Sequence, residues 1–230
     1  MRQGRSAIRV VLRFVASVMM ISGVLMIGDA ATTLAWQEPI SAFLADRQQS
    51  ALDTELDAAG VLAREDLQEL EPIADQDRRL AELAARQARR SDPGDAIGRI
   101  ELPTLDRSYA VVEGTDTASL RKGPGHYPGT PLPGQRGTVA VAGHRTTYGA
   151  PFRTVDDLRR GDPITMSMPY GRFEYEVERT QIVPPTRTSV TRRVGHDQLI
   201  LSACHPLYSA EKRIIVFARF KRAQPARVDA

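Results

Sequence analysis

The sequence predicts a mainly β C-terminal domain, a barrel or sandwich, behind an apolar N-terminal segment and a helical stretch. Three observations carry this. From residue 97 onward, short runs rich in Val, Ile, Tyr and Phe alternate with turn signals such as Gly123-Pro124-Gly125, Pro128-Gly129 and Pro133-Gly134, the punctuation of many short strands. Between residues 36 and 91 no such run occurs, and Ala, Leu, Gln, Glu, Asp and Arg dominate. Residues 14–28 form one uncharged apolar run.

Taken in order, residues 1–13 hold Arg2, Arg5, Arg9 and Arg13, and the apolar run follows. The run alone is short of the ~20 residues that a membrane span needs. Extending it through residue 36 reaches that length, with Arg13 snorkelling to one interface and Trp36 suited to the other. The rival reading is a cleaved signal peptide, for which Gly28-Asp29-Ala30 offers a small-x-small site. The preferred reading is a retained single-pass helix over residues 14–36. The arginines then stay in the cytoplasm and the rest of the chain is exported.

Residues 37–96 read as a helical stalk. Leu52, Leu56, Leu67, Leu70, Leu80 and Leu83 recur at roughly helical spacing, Gly60 and Pro72 are expected breaks, and Pro93-Gly94 ends the last helix. The heptads are too broken for a coiled coil, so the charges are expected on a solvated face of a spacer.

The β domain is expected over residues 97–221. Strands are predicted at 100–102, 109–112, 139–142, 198–202 and 213–220, a short helix at 152–159, and a hairpin of 164–168 with 172–179. In that hairpin Phe173, Tyr175 and Val177 alternate with Glu174, Glu176 and Glu178, so one face is wet. Residues 222–230 are expected to be a disordered tail.

Composition excludes several functions. The net charge of +3 is a weak excess, and no basic stripe interleaved with aromatics suggests nucleic acid. A single cysteine excludes an internal disulfide and multi-cysteine zinc sites. No acidic cluster suits calcium. Neither a metal nor a cofactor is expected.

The candidate chemistry lies at strand ends. Cys204 closes one apolar run, His144 closes another, and Arg213 opens a third. A cysteine attacks as thiolate, so it needs a neighbouring base or cation. His144 is a candidate general acid/base and Arg213 a candidate oxyanion clamp, together suited to acyl transfer from a peptide carbonyl. Each residue alone also has an ordinary reading: a small buried hydrophobe, a turn-bonded histidine, a snorkelling surface charge. Spacing by itself leaves the choice open. A cysteine transpeptidase of the L,D type does not fit, because its Ser-His-Gly-Cys motif is absent.

The stretch from Leu120-Arg121-Lys122-Gly123-Pro124-Gly125-His126-Tyr127 to Ala142-Gly143-His144-Arg145-Thr146-Thr147-Tyr148-Gly149, then Leu201-Ser202-Ala203-Cys204-His205-Pro206 and Arg213-Ile214-Ile215-Val216-Phe217, resembles the sortase family, most of all the actinobacterial class E sortases. The resemblance covers the C-terminal domain and implies an eight-stranded sortase β-barrel. It implies cleavage of a Leu-Pro-x-Thr-Gly or Leu-Ala-x-Thr-Gly sorting signal between Thr and Gly through a Cys204 thioester. His144 would protonate the departing amine and later deprotonate the incoming one, and Arg213 would hold substrate and oxyanion. The implied partners are surface proteins carrying the signal, an amine of a peptidoglycan precursor or a pilin lysine as acceptor, and membrane lipid around the N-terminal helix. Tyr127 and Tyr148 are secondary substrate-binding candidates. Ala203 departs from the family pattern by replacing the threonine before the nucleophile. It is expected to remove one hydroxyl contact to substrate, and it supports an alternative of a catalytically impaired barrel that only binds.

Overall fold

The computed structural model describes residues 2–35 and 39–226; Trp36, the expected interfacial aromatic, and residues 227–230 of the expected tail lie outside the described residues. The chain divides into two units, Met1–Ile40 and Ser41–Ala230. The first unit is built on helix α1 (Arg2–Ala35). Its stretch Val11–Gly28 has a mean hydropathy of 2.0 with none of it buried, long and apolar enough to cross a membrane by length and composition.

Helix α2 (Pro39–Glu69) leads into the second unit, and α3 (Gln76–Arg90) follows a turn containing Pro72. Asp75 caps α3 by accepting from the Arg78 amide. Gly60 lies inside α2 and breaks nothing. Nothing sits within 4 Å of where its Cβ would be, so it costs only the ~1 kcal/mol of a mid-helix glycine.

The barrel strands are β1 (Ala96–Leu102), β2 (Arg107–Glu113), β3 (Gly125–His126), β4 (Thr138–Gly143), β5 (Pro163–Met168), β6 (Gly171–Val183), β7 (Gln198–His205) and β8 (Lys212–Pro225). They close in the order β1-β2-β3-β4-β7-β8-β6-β5. The β2–β3 and β4–β7 pairs are parallel and the others antiparallel. Alternation sorts the side chains. Val139, Val141, Leu199, Leu201, Ile214 and Val216 fill the interior, whereas Ala140, Ile200, Ile215 and Phe217 form a second cluster on the outer face of β4-β7-β8. Phe173, Tyr175 and Val177 of β6 also point inward, and Glu174, Glu176 and Glu178 meet Arg222, Lys221 and Arg219 of β8 on the wet face.

Three expectations need correction. The stalk is not a free spacer: Leu52 packs on Ala96, Ala110 and Val112, while Leu67, Leu70, Leu80 and Leu83 join the barrel core. Helical spacing revealed that α2 and α3 had apolar faces, and the barrel covers them. Residues 152–159 form turns around a 3-10 segment, Val155–Asp157, because Phe152, Val155 and Leu158 are all drawn into the core at a three-residue period. Strand β8 runs past residue 221 to Pro225, because β6 extends to Gly171 and pairs with it there.

Candidate active site

Strand register assembles the site. Cys204 of β7 lies directly opposite Arg213 of β8. In the parallel pair of β4 and β7, Gly143 aligns with Ala203, so His144 and Cys204 each stand one residue past an aligned pair. Parity puts His144, following Ala140 and Ala142, on the same outer face as Cys204, following Ile200 and Ser202, and as Arg213, preceding Ile215 and Phe217. Cys204, His144 and Arg213, the residues named from strand ends, therefore share one face of three adjacent strands.

Each is held differently. Cys204 is a free, half-buried thiol. Arg213 Nη1 donates to the carbonyls of Ala210 (2.9 Å) and Lys212 (3.0 Å), which fixes the start of β8. His144 is half-buried, and burial holds its imidazole below the ordinary histidine value, so it stands neutral at pH 7, ready to accept a proton. Gly143, just before it, admits no side chain: a Cβ would lie 2.4 Å from the buried Phe152 ring. The Phe152 amide in turn donates to the His144 carbonyl at 2.9 Å.

Tyr148 lies against His144, ring centroids 5.1 Å apart, and the Arg121 guanidinium stands 5.6 Å from the Tyr148 ring. Tyr148 and Arg121 also line a hollow with Leu44, Ala45 and Gln48 of α2. The adjoining Gly149 has φ +73°, and a Cβ there would come 2.7 Å from Ala45 Cβ. Helix α2 thus abuts the loop that carries His144. Tyr148, expected from the sequence as a substrate contact, lies against the imidazole.

Tyr127 packs on the outer cluster of Ala140, Ile200, Ile215 and Phe217, and its hydroxyl donates to Ser202 Oγ at 3.3 Å. It forms one wall of a groove of about 190 Å³ whose floor includes Ile200, Ser202 and Ile215, with Arg213 at its edge. The opposite wall is the segment between β6 and β7, including Pro184, Pro185 and the 3-10 turn Thr188–Thr191. His126 anchors the Tyr127 loop from behind. It is buried, with Nδ1 2.8 Å from the Glu113 carboxylate and Nε2 2.9 Å from Thr130 Oγ1. A larger cavity of about 380 Å³ between α2, α3 and the barrel shares no residue with this groove and is lined by neither cysteine nor histidine.

Ala203 is the correction at this site. It belongs to the interior cluster with Leu199 and Leu201 and is 4% exposed, so it faces away from the groove. The hydroxyl that shares a face with Cys204 is that of Ser202.

The sequence reading passed over Arg145. Its guanidinium is 2% exposed. It donates to the Arg153 carbonyl from Nε (3.2 Å) and Nη2 (3.0 Å), to Asp156 Oδ1 at 2.6 Å and to the Cys204 carbonyl at 3.5 Å, with Nη1 3.3 Å from His205 Nδ1. One buried cation thereby ties the residue after His144 to the backbone of Cys204. Its signal in the sequence was only its place beside His144. Among the described residues no group of three or more His, Cys, Asp or Glu side chains could hold a metal ion.

The sortase-domain family model matches residues 100–221. The chain is 36% identical over 132 residues to Sortase D of Bacillus subtilis (strain 168), covering 56% of this chain and 65% of that protein. It is 28% identical over 152 residues to Sortase SrtE1 of Streptomyces coelicolor, covering 58% of this chain and 43% of that protein. The chain thus spans less than two thirds of the length of either relative. Among solved structures, sortase E from Streptomyces avermitilis superposes with a TM-score of 0.54 at 34% identity, covering 58% of this chain and 93% of that one.

Proposed function

The chain belongs to the sortase family, and we propose that it is a membrane-anchored cysteine transpeptidase acting on proteins with a Leu-Pro-x-Thr-Gly or Leu-Ala-x-Thr-Gly sorting signal. One observation carries the reading: Cys204 faces Arg213 across β7–β8, with His144 at the end of β4 on the same face. The neutral His144 takes the thiol proton, and the thiolate attacks the threonine carbonyl. A C–S bond forms, and the tetrahedral oxyanion is met by the Arg213 guanidinium. As the C–N bond breaks, the imidazolium returns the proton to the departing glycine amine, leaving a thioester on Cys204. An acceptor amine then attacks the thioester, giving up its proton to His144 and freeing the thiol. The acceptor is an amine of a peptidoglycan precursor or a pilin lysine.

Helix α1 anchors the protein in this reading, with its N-terminal arginines in the cytoplasm and the barrel outside. The groove beside Arg213 and Ser202 receives the signal, with Tyr127 at its wall. The binding-only alternative loses its support, since Ala203 faces the barrel interior.

The detergent-solubilised chain, incubated with the two signal peptides in competition, is expected to give a mass adduct on Cys204 equal to the peptide acylated through threonine. Cys204→Ala is expected to fold and to lose all cleavage. Turnover retained in that variant overturns the mechanism.

A further inference from the structure

Several exposed basic residues on the outer face of the barrel are ion-paired. Arg219, Arg222 and Arg172 pair with Glu178, Glu174 and Glu101 at 2.5–3.1 Å, and Lys221 pairs with Glu176 at 3.2 Å. The groove lined by Arg213 holds cations without such pairs. Arg187 and Arg213 both line it, and no Asp or Glu does. Arg187 is exposed and, among the described residues, has no ion-pair partner; Arg192 and Arg193, exposed in the same segment, have none either. Arg213 Nη1 is bonded to two backbone carbonyls, which carry no net charge.

Charge left uncompensated over an apolar floor of Val183, Ile200 and Ile215 concentrates a positive potential in the groove. A peptide laid there gains from a carboxylate and loses from an ammonium. In a signal of the type above, three positions before the scissile bond are set as Leu, Pro or Ala, and Thr. Only the variable position is free to carry charge.

We propose that Arg187 is a specificity-determining residue that selects sorting signals with a carboxylate side chain at the variable position. The proposal rests on the sortase reading and adds to it the charge class of the substrate.

The test uses the full chain in detergent and three peptides, Leu-Ala-Glu-Thr-Gly, Leu-Ala-Gln-Thr-Gly and Leu-Ala-Lys-Thr-Gly. No acceptor is added, so that water resolves the thioester and any preference belongs to the signal. The Glu peptide is expected to exceed the Gln peptide in kcat/KM by about three- to fivefold, the scale of one exposed ion pair, with the Lys peptide lowest. The gap should narrow at high salt. Arg187→Gln should bring the Glu-to-Gln ratio close to one, Arg187→Lys should keep most of it, and Arg222→Gln on the solvated face should leave it as in the parent. Equal rates for Glu and Gln in the parent chain, or a ratio that survives Arg187→Gln, overturn the proposal. The ratio is the readout, so a uniform loss of rate also counts against it. A preference appearing only when a carboxylate-bearing acceptor is supplied assigns the charge to the acceptor and overturns it too. Failure of all three peptides to acylate Cys204 instead overturns the sorting-signal cleavage on which the proposal rests.

Discussion

A guanidinium with 2% of its surface exposed loses most of its hydration, and Arg145 offsets that loss with two carbonyls and the Asp156 carboxylate. Its planar fork lets one side chain serve strand β7, the 153–156 turn and the His144 loop together. A lysine keeps the charge but offers no such fork. Arg145→Lys is therefore expected to lower kcat for peptide cleavage about tenfold, the scale of a small misplacement of reacting groups, with KM nearly unchanged. Steady-state kinetics on variant chains of verified thermal stability checks this. A variant that loses only stability, with kcat per folded molecule intact, would make Arg145 a packing residue. The same scale corrects Ala203. Adjacent strand residues face opposite ways; applied from Cys204 along β7, that rule favours Ser202 and sends Ala203 inward.

At the level of elements, strand ends were legible because short apolar runs within β7 and β8, residues 199–201 and 214–217, are bounded by polar or chemistry-bearing residues. Cys204, His144 and Arg213 were singled out as candidates that way. The partner of α2 was not legible. A row of leucines says that a helix has an apolar face, while the surface that covers it depends on strands distant in sequence. Here Gln49 accepts from the Ala110 amide (2.7 Å) and donates to the Lys122 carbonyl (3.0 Å), and Ala45 abuts Gly149. The helix so docked stands beside Tyr148, and Tyr148 stands against His144. Burial alone lowers the His144 pKa, so thinning its cover should raise it. Tyr148→Ala is expected to move the imidazole titration midpoint, followed by NMR of the ring proton, up toward the ordinary ~6.5. The acid limb of the pH–rate profile moves up with it, because the base form is then lost at higher pH. Tyr148→Phe should leave both in place. An unchanged midpoint in Tyr148→Ala would assign the burial to other walls.

Across the second unit, the barrel and its two flanking helices form one compact body, and α2 is held to α3 by a charged cluster as well as by leucines. Asp66 of α2, 7% exposed, accepts from Arg90 at 2.5 and 3.0 Å and from Arg86 at 2.9 Å. Burial pushes its carboxyl pKa up, but the hydrogen bonds and charges of the two arginines outweigh that and hold it below the ordinary value. Arg86 also forks onto Glu69 at 2.7 and 3.0 Å. A carboxylate whose folded pKa is depressed stabilises the fold above its unfolded pKa, and that contribution is lost as pH falls through the folded value. Asp66→Asn is therefore expected to cost about 2 kcal/mol at pH 7, the scale of hydrogen bonds to a charged group. The cost should begin to shrink below about pH 4, where the unfolded chain protonates this carboxyl, and go on shrinking until the folded chain protonates it at its lower value. Urea denaturation of the detergent-solubilised chain at pH 7 and pH 3 measures both numbers. A gap that stays constant between them would mean that the α2–α3 pair is held by its leucines, with the charged cluster contributing nothing. A gap that closes would make acid loosen α2 first, and with it the wall beside Tyr148 and His144.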